Sequence, residues 1–279
     1  MRDQKRDGTR PSGRRKDNPD RRESVNMNAP TDDRLEGRNS VMEAIRAGRE
    51  INKLWVLEST DGRKTDPLLG KIISEVSKNN TPVLRVGRQV LDRMSQTHNH
   101  QGVIAQVASH EYADLDDIIA KCRDEGRDPF IVILDGLKDA YNLGSVLRIS
   151  DAAGVDAVVI PTHRSIGLDS VVAKASAGAI EHVPVARVTN IASTLRDLKD
   201  NKGFWVFGTD AEGTTPYDDA DFKGACAVVI GSEGEGMRDQ VRKECDFLLS
   251  IPMQGKVNSL NAAVAAGIVI FEAMKIRKG

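Results

Sequence analysis

The sequence predicts an α/β protein whose larger part is a parallel sheet covered by helices. Three observations lead there. Phe130–Leu134, Ala157–Ile160 and Ala225–Ile230 are nearly unbroken apolar runs of strand length, a pattern of strands buried on both faces. Helical segments fit between and after them, at Leu143–Ala153, Asp169–Ala177, Ile191–Asn201, Met237–Lys243 and Ser259–Ile276. Weaker runs at Val183–Val188 and Phe204–Phe207 continue the alternation, which is that of a doubly covered sheet.

A smaller α/β unit precedes this block. Asn39 and Ser40 stand before Val41 and Met42, with Glu43 three residues after Ser40, the spacing of a capping box. Gly48 ends that helix. Ile51–Leu57 then reads as a strand, Asp66–Asn79 as a helix, Pro82–Val86 as a strand, Arg88–Met94 as a short helix and Gly102–Ser109 as a strand. Asp114–Glu125 is the helix expected to join the two blocks. The organisation read from this is a tail over 1–31, a small domain over 32–110, a linker over 111–128 and a larger domain over 129–279.

Residues 1–30 carry nine Lys/Arg and five Asp/Glu, with four apolar residues and no aromatic. Such a segment cannot bury enough surface to offset its ordering entropy, so it reads as a disordered basic tail. It is either a solubilising segment or an arm for RNA phosphates. The whole chain of 279 residues has a net charge of −1. Its longest apolar run, Ala262–Phe271, is ten residues, too short to suggest a membrane span. Three scattered cysteines give neither a disulfide framework nor a metal-ligand spacing. No secretory signal is visible, so a cytoplasmic location without membrane or metal is expected.

Ligand chemistry in such sheets collects beyond the carboxyl ends of the strands, and three loops there stand out. In the first, Asn142 is placed to cap the next helix, Gly144 permits close approach of another backbone, and Arg148 follows in the helix. A capped helix with an Arg148–Asp151 surface pair would also explain it. The second is Gly231-Ser-Glu233-Gly234-Glu-Gly236, directly after an apolar run. Its two carboxylates would repel a pyrophosphate, which argues against a dinucleotide or nucleoside triphosphate. They suit a cationic, phosphate-free adenosine cofactor such as S-adenosylmethionine. The third runs from Ile251-Pro252-Met253 to Ser259-Leu260-Asn261 and into an alanine-rich helix, with Asn258 or Ser259 as the expected cap.

Together the three loops resemble the SpoU/TrmH branch of the SPOUT RNA methyltransferases. The family's motif of an Asn followed six residues on by an Arg matches Asn142 and Arg148. Its Gly-x-Glu-Gly turn matches Gly231, Glu233 and Gly234, and its Ile-Pro-Met…Ser-Leu-Asn motif matches Ile251, Pro252, Met253, Ser259, Leu260 and Asn261. The likeness spans about 130–276. The small unit, with Glu36-Gly37-Arg38-Asn39 and the His98-Asn99-His100-Gln101 turn, resembles the substrate-binding domain of ribosomal RNA members.

The resemblance implies a C-terminal trefoil knot, a homodimer, and S-adenosylmethionine-dependent methylation of a ribose 2′-hydroxyl. The substrate it implies is a guanosine of large-subunit (23S) ribosomal RNA, with transfer RNA methylation or a silent RNA-binding relative as alternatives. It makes Arg148 the catalytic residue, acting either as a base or as a permanently charged clamp, since a guanidinium normally keeps its proton. Asn142 and Glu233 would orient Arg148 or the substrate. Ser259 and Asn261 would position the nucleotide or the methionyl part of the cofactor. Gly231, Gly234, Ile251, Met253 and Leu260 would hold the cofactor. Arg38, Asn39, His98, Asn99, His100 and Gln101 would contact RNA.

Overall fold

A computed structural model describes residues 33–58, 66–256 and 259–278. The expected tail and the candidate cap Asn258 lie outside the described residues.

The first sheet has the order β1-β4-β2-β3. It consists of β1 (Arg34–Glu36), β2 (Ile51–Leu57), β3 (Val83–Val86) and β4 (Val103–Val107). β4 runs antiparallel to β1 and β2, and β3 is parallel to β2. Helices α1 (Arg38–Arg46) and α2 (Pro67–Lys78) cover one face through Val41, Met42 and Ile72, while α3 (Arg88–Met94) covers Trp55 and Ile104 on the other. Asp66 caps α2 by accepting from Leu68 and Leu69 N–H at 3.0 and 3.2 Å.

The capping box expected at Ser40 is not formed. α1 starts at Arg38, and its N-cap is Gly37 at φ 84°, with no side-chain cap bond. The tight turn out of β1 needs a left-handed residue there, and this moves the helix cap three residues earlier, from Ser40 to Gly37.

After α4 (Leu115–Asp124), the second sheet holds seven strands in the order β7-β6-β5-β10-β8-β11-β9. These are β5 (Phe130–Asp135), β6 (Ala157–Pro161), β7 (Val185–Val188), β8 (Trp205–Thr209), β9 (Thr215–Pro216), β10 (Cys226–Gly231) and β11 (Phe247–Ser250). Every ladder is parallel. Phe130, Val132 and Leu134 face a layer formed by α5 (Ala140–Ala153), α6 (Ser170–Ala175) and α9 (Ala262–Lys278). Ile131 and Ile133 face α4, α7 (Ile191–Lys202) and α8 (Asp239–Arg242). Burial on both sides is why these strands read as unbroken apolar runs. Gly144 meets the predicted need: a Cβ there would lie 2.4 Å from Ala175 Cβ, so α5 and α6 pack in contact only around a glycine.

The two sheets are joined by a polar seam at the loop after β6. Asn52 Nδ2 donates to Leu168 O at 2.9 Å, and the Tyr112 hydroxyl donates to Asn52 Oδ1 at 2.6 Å and accepts from Leu168 N–H at 2.8 Å. Ser170 N–H adds a bond to Asp33 Oδ2 at 2.7 Å. Burial, opposed by the Arg187 charge, pushes the Tyr112 phenol up to about 12. Among the described residues no helix is long and apolar enough to cross a membrane.

Candidate active site

Strand order reverses between β5 and β10. From β5 the chain moves outward through β6 and β7, then crosses to build β8, β10 and β11 on the other side. A crevice at the carboxyl ends of two such strands is where open α/β sheets bind ligands. Here the crevice is a cavity of about 230 Å³ bounded by Gly136–Asp139, Asn142, Ser232, Glu233 and Glu235.

Three side chains from the three expected loops meet at its edge. Asn142 Nδ2 donates to Glu233 Oε1 at 2.9 Å. Asn261 Nδ2 donates to Asn142 Oδ1 at 2.9 Å and to Glu233 Oε1 at 2.5 Å. Ala262 N–H, at the start of α9, also reaches Glu233 Oε1 at 3.3 Å. One carboxylate oxygen therefore takes three donors at the positive end of a 17-residue helix. Asn142 is buried and Glu233 is exposed. The arrangement fixes one oxygen of Glu233 and leaves the other without a partner among the described residues.

Two caps differ from expectation. Asn142 is not the cap of α5. Asp139 is, accepting from Asn142 N–H at 2.8 Å, which puts Asn142 inside the first turn with its amide turned to the cluster. α9 is capped by Asn261, whose Oδ1 accepts from Ala263 and Val264 N–H at 3.0 and 3.2 Å. Ser259 lies before the helix, exposed, and makes no side-chain bond to the cluster.

The turn after β10 is closed by paired bonds between Ser232 and Gly236, both at 3.0 Å. Gly231 has no room for a side chain: a Cβ would lie 2.5 Å from Gly236 C and Met237 N. Gly234 and Gly236 have φ of 82° and 68°. Ile251 and Leu260 are half-buried, and Met253 is exposed.

The sequence reading missed the latch beneath this turn. Asp135, buried at the end of β5, accepts Arg238 N–H at 2.8 Å and Arg238 Nε at 2.7 Å. Its only sequence signal is a carboxylate ending an apolar run.

Arg148 is not brought to the cluster. It follows Asn142 by six residues, a rise of roughly 9 Å and a rotation that turns it to another face of α5. That face is exposed: Arg148 makes no ion pair among the described residues, Asp151 included, and Tyr141, seven residues earlier, is 68% exposed. The packed helix α9 shows Val264 and Phe271 to solvent at 52% and 43%.

The RNA candidates of the small domain divide. His98, Asn99 and Asn39 are exposed. His100 is buried and occupied on both ring nitrogens, by Asp92 at 2.9 Å and Gly102 N–H at 2.9 Å, so it supports the turn and has no free edge for a base. Arg38 Nε donates to Gln101 O at 3.0 Å and its guanidinium pairs with Asp66 at 2.7 Å. Gln101 Oε1 accepts from Arg38 N–H at 3.3 Å.

Comparison with known proteins gives the family. The model of the SpoU rRNA Methylase family matches residues 129–271, and that of the RNA 2′-O ribose methyltransferase substrate-binding domain matches 34–113. The chain belongs to the SpoU methylase family. A Bacillus subtilis relative, YacO, named as a TrmH family tRNA/rRNA methyltransferase, is 46% identical over 86% of this chain and 94% of its own length. The AdoMet-bound rRNA methyltransferase of Sinorhizobium meliloti superposes with a TM-score of 0.54 at 25% identity, over 87% of this chain and 86% of its own. The Streptomyces viridochromogenes SpoU methyltransferase AviRb, also with AdoMet, gives 0.54 at 24% identity, over 87% and 89%, a likeness of fold. This SpoU methylase is an S-adenosylmethionine-dependent RNA methyltransferase.

The residues present fit that cofactor. The turn at Gly231–Gly236 has no side chain at its closest approach and bears Glu233 and Glu235, favourable to a sulfonium and hostile to phosphate. When bound, S-adenosylmethionine supplies an electrophilic methyl group.

Proposed function

We propose that this SpoU methylase methylates the ribose 2′-hydroxyl of a guanosine in large-subunit ribosomal RNA, as a cytoplasmic homodimer. The observation that carries the reading is the Asn142–Glu233–Asn261 cluster, which unites three separate loops at the switch point of the sheet. In this reading residues 32–110 gather the RNA, 111–128 link, and 129–279 carry the reaction. Gly231, Gly234, Ile251, Met253 and Leu260 hold the cofactor, and Ser259 and Asn261 position the nucleotide or the methionyl group.

A ribose hydroxyl is largely protonated at neutral pH, so it must be aligned and relieved of its proton. Arg148 acts on it, either as the base or by stabilising the developing alkoxide. Since Arg148 and Glu233 do not meet within one chain, the dimer completes the site. Tyr141, on the same face of α5 as Arg148, and Val264 and Phe271 on α9 are exposed and supply its apolar contact. The knot belongs to the same reading. A Cβ at Gly213 would lie 2.6 Å from Leu249 C, and Ala262, Ala263 and Gly267 leave room for a tight crossing.

Ribosomal RNA is favoured because the Sinorhizobium meliloti rRNA methyltransferase aligns over both sheets of this chain. Transfer RNA is the second reading, because the name of the Bacillus subtilis relative covers both substrates. The intact set Asn142, Arg148, Glu233, Ser259 and Asn261 weighs against a silent relative. Mapping ribose methylation in a strain lacking the gene tests the proposal. One large-subunit guanosine should lose its 2′-O-methyl group, and a loss confined to transfer RNA overturns it.

A further inference from the structure

The loop between α3 and β4 is built in a way that a passive connection does not require. Four donors converge on the Glu36 carboxylate: Ser95 Oγ at 2.6 Å, Gln96 N–H at 2.5 Å, Thr97 N–H at 3.2 Å and Thr97 Oγ1 at 2.5 Å. Its far end is held by Arg38 on Gln101 and by His100 on Gly102. Between these clamps, His98 and Gln101 have left-handed backbones at φ 55° and 50°. Non-glycine residues adopt that conformation at a cost, and such positions concentrate at ligand clamps. The outcome is that His98 and Asn99 stand exposed at the tip, with no side-chain partner among the described residues, on a backbone already ordered.

Charge points to the same side of the molecule. Residues 33–113 carry twelve Lys/Arg and ten Asp/Glu, whereas 114–279 carry 19 and 25. An RNA strand is therefore drawn to the small domain more than to the large one. An imidazole beside an amide is suited to unstacked bases, one by stacking and the other by hydrogen bonds to a base edge. Resting on the RNA methyl-transfer reading above, we infer that His98 and Asn99 are the specificity-determining residues that read an unpaired nucleotide of the substrate. Glu36 is the positioning residue that holds their backbone ready. Binding to such a loop loses little ordering entropy, so its contacts go into affinity for RNA and not into the chemical step.

The test uses the full chain, S-adenosylmethionine labelled in its methyl group, and unmodified large-subunit ribosomal RNA transcript. His98→Gly keeps the left-handed backbone while removing the ring, and Asn99→Ala removes the amide. Each should raise KM for RNA by about tenfold or more, the loss of one base contact, with kcat and KM for the cofactor unchanged. Glu36→Gln should do the same, and adding His98→Gly to it should cost less than it costs the wild type, because the ring is already misplaced. Unchanged KM for RNA in both His98→Gly and Asn99→Ala overturns the inference, as does a fall in kcat alone. If the wild type methylates no ribosomal RNA, the substrate reading has failed. The loop is then judged by fluorescence anisotropy with the same transcript and with transfer RNA, where equal affinity of wild type and His98→Gly for both RNAs overturns it.

Discussion

Asn142→Asp is the sharpest perturbation of the cluster, because it changes one donor into an acceptor with almost no change of shape. In the wild type, Nδ2 donates to Glu233 Oε1 at 2.9 Å. A hydrogen bond to a charged group contributes roughly 1.5–3 kcal/mol. The variant loses it and sets two carboxylates about 3 Å apart, a repulsion of roughly 1.5 kcal/mol in a water-like medium and about 5 kcal/mol at an effective dielectric of 20. Glu233 is exposed, so the lower figure applies. The total is about 3–4.5 kcal/mol, or a fall in Tm of roughly 6–18 °C for a protein of this size. Calorimetric melts of wild type and variant at pH 8 measure it, with methyl transfer read in parallel. A variant as stable as the wild type at pH 8 would refute the Asn142–Glu233 contact as the organiser of the site.

Four further outcomes are expected. Arg148→Ala should reduce turnover at least about a hundredfold while cofactor affinity by calorimetry changes little; near-normal methylation would return Arg148 to a surface role. Hydrogen bonds hold the Glu36 carboxyl below its ordinary value of 4.5 despite burial that pushes it up. The stability it adds is therefore complete above 4.5 and lost as pH falls through its lowered value, so wild type should lose more stability on acidification below pH 4.5 than Glu36→Gln. Deleting residues 1–30, with net charge +4, should weaken RNA binding alike across sequences and flatten the log–log salt dependence by about 3; an unchanged slope removes the tail from RNA contact. Tyr112 should ionise only near pH 12 in a spectrophotometric titration, and Tyr112→Phe, which strands Asn52 Oδ1 and Leu168 N–H, should lower stability by roughly 1–3 kcal/mol.

Much of the large domain was legible because burial on both faces writes itself into β5, β6 and β10 as unbroken apolar runs. β11 was not, since Phe247–Ser250 is four residues long and follows a stretch of mixed charge. β1 and β9, of three and two residues, exist only because β4 and β11 offer them edges. Helix starts were misplaced where tertiary demands overrode local pattern, at Gly37 for α1 and at Asn261 for α9. In the site, Asn142, Glu233 and Asn261 were found through their motifs. The Asp135–Arg238 latch was not, as its partners are 103 residues apart and neither stands in a recognisable spacing. His100 was misread for a different reason: an imidazole in a polar turn looks the same in sequence whether it faces solvent or braces the turn.

The most direct measurement incubates the purified chain with methyl-labelled S-adenosylmethionine and large-subunit ribosomal RNA transcript, then digests the RNA to nucleosides. Label is expected in 2′-O-methylguanosine, from a single position, and none with Arg148→Ala. Label on a base, or in the ribose of transfer RNA alone when both RNAs are offered, would overturn the assignment of the substrate.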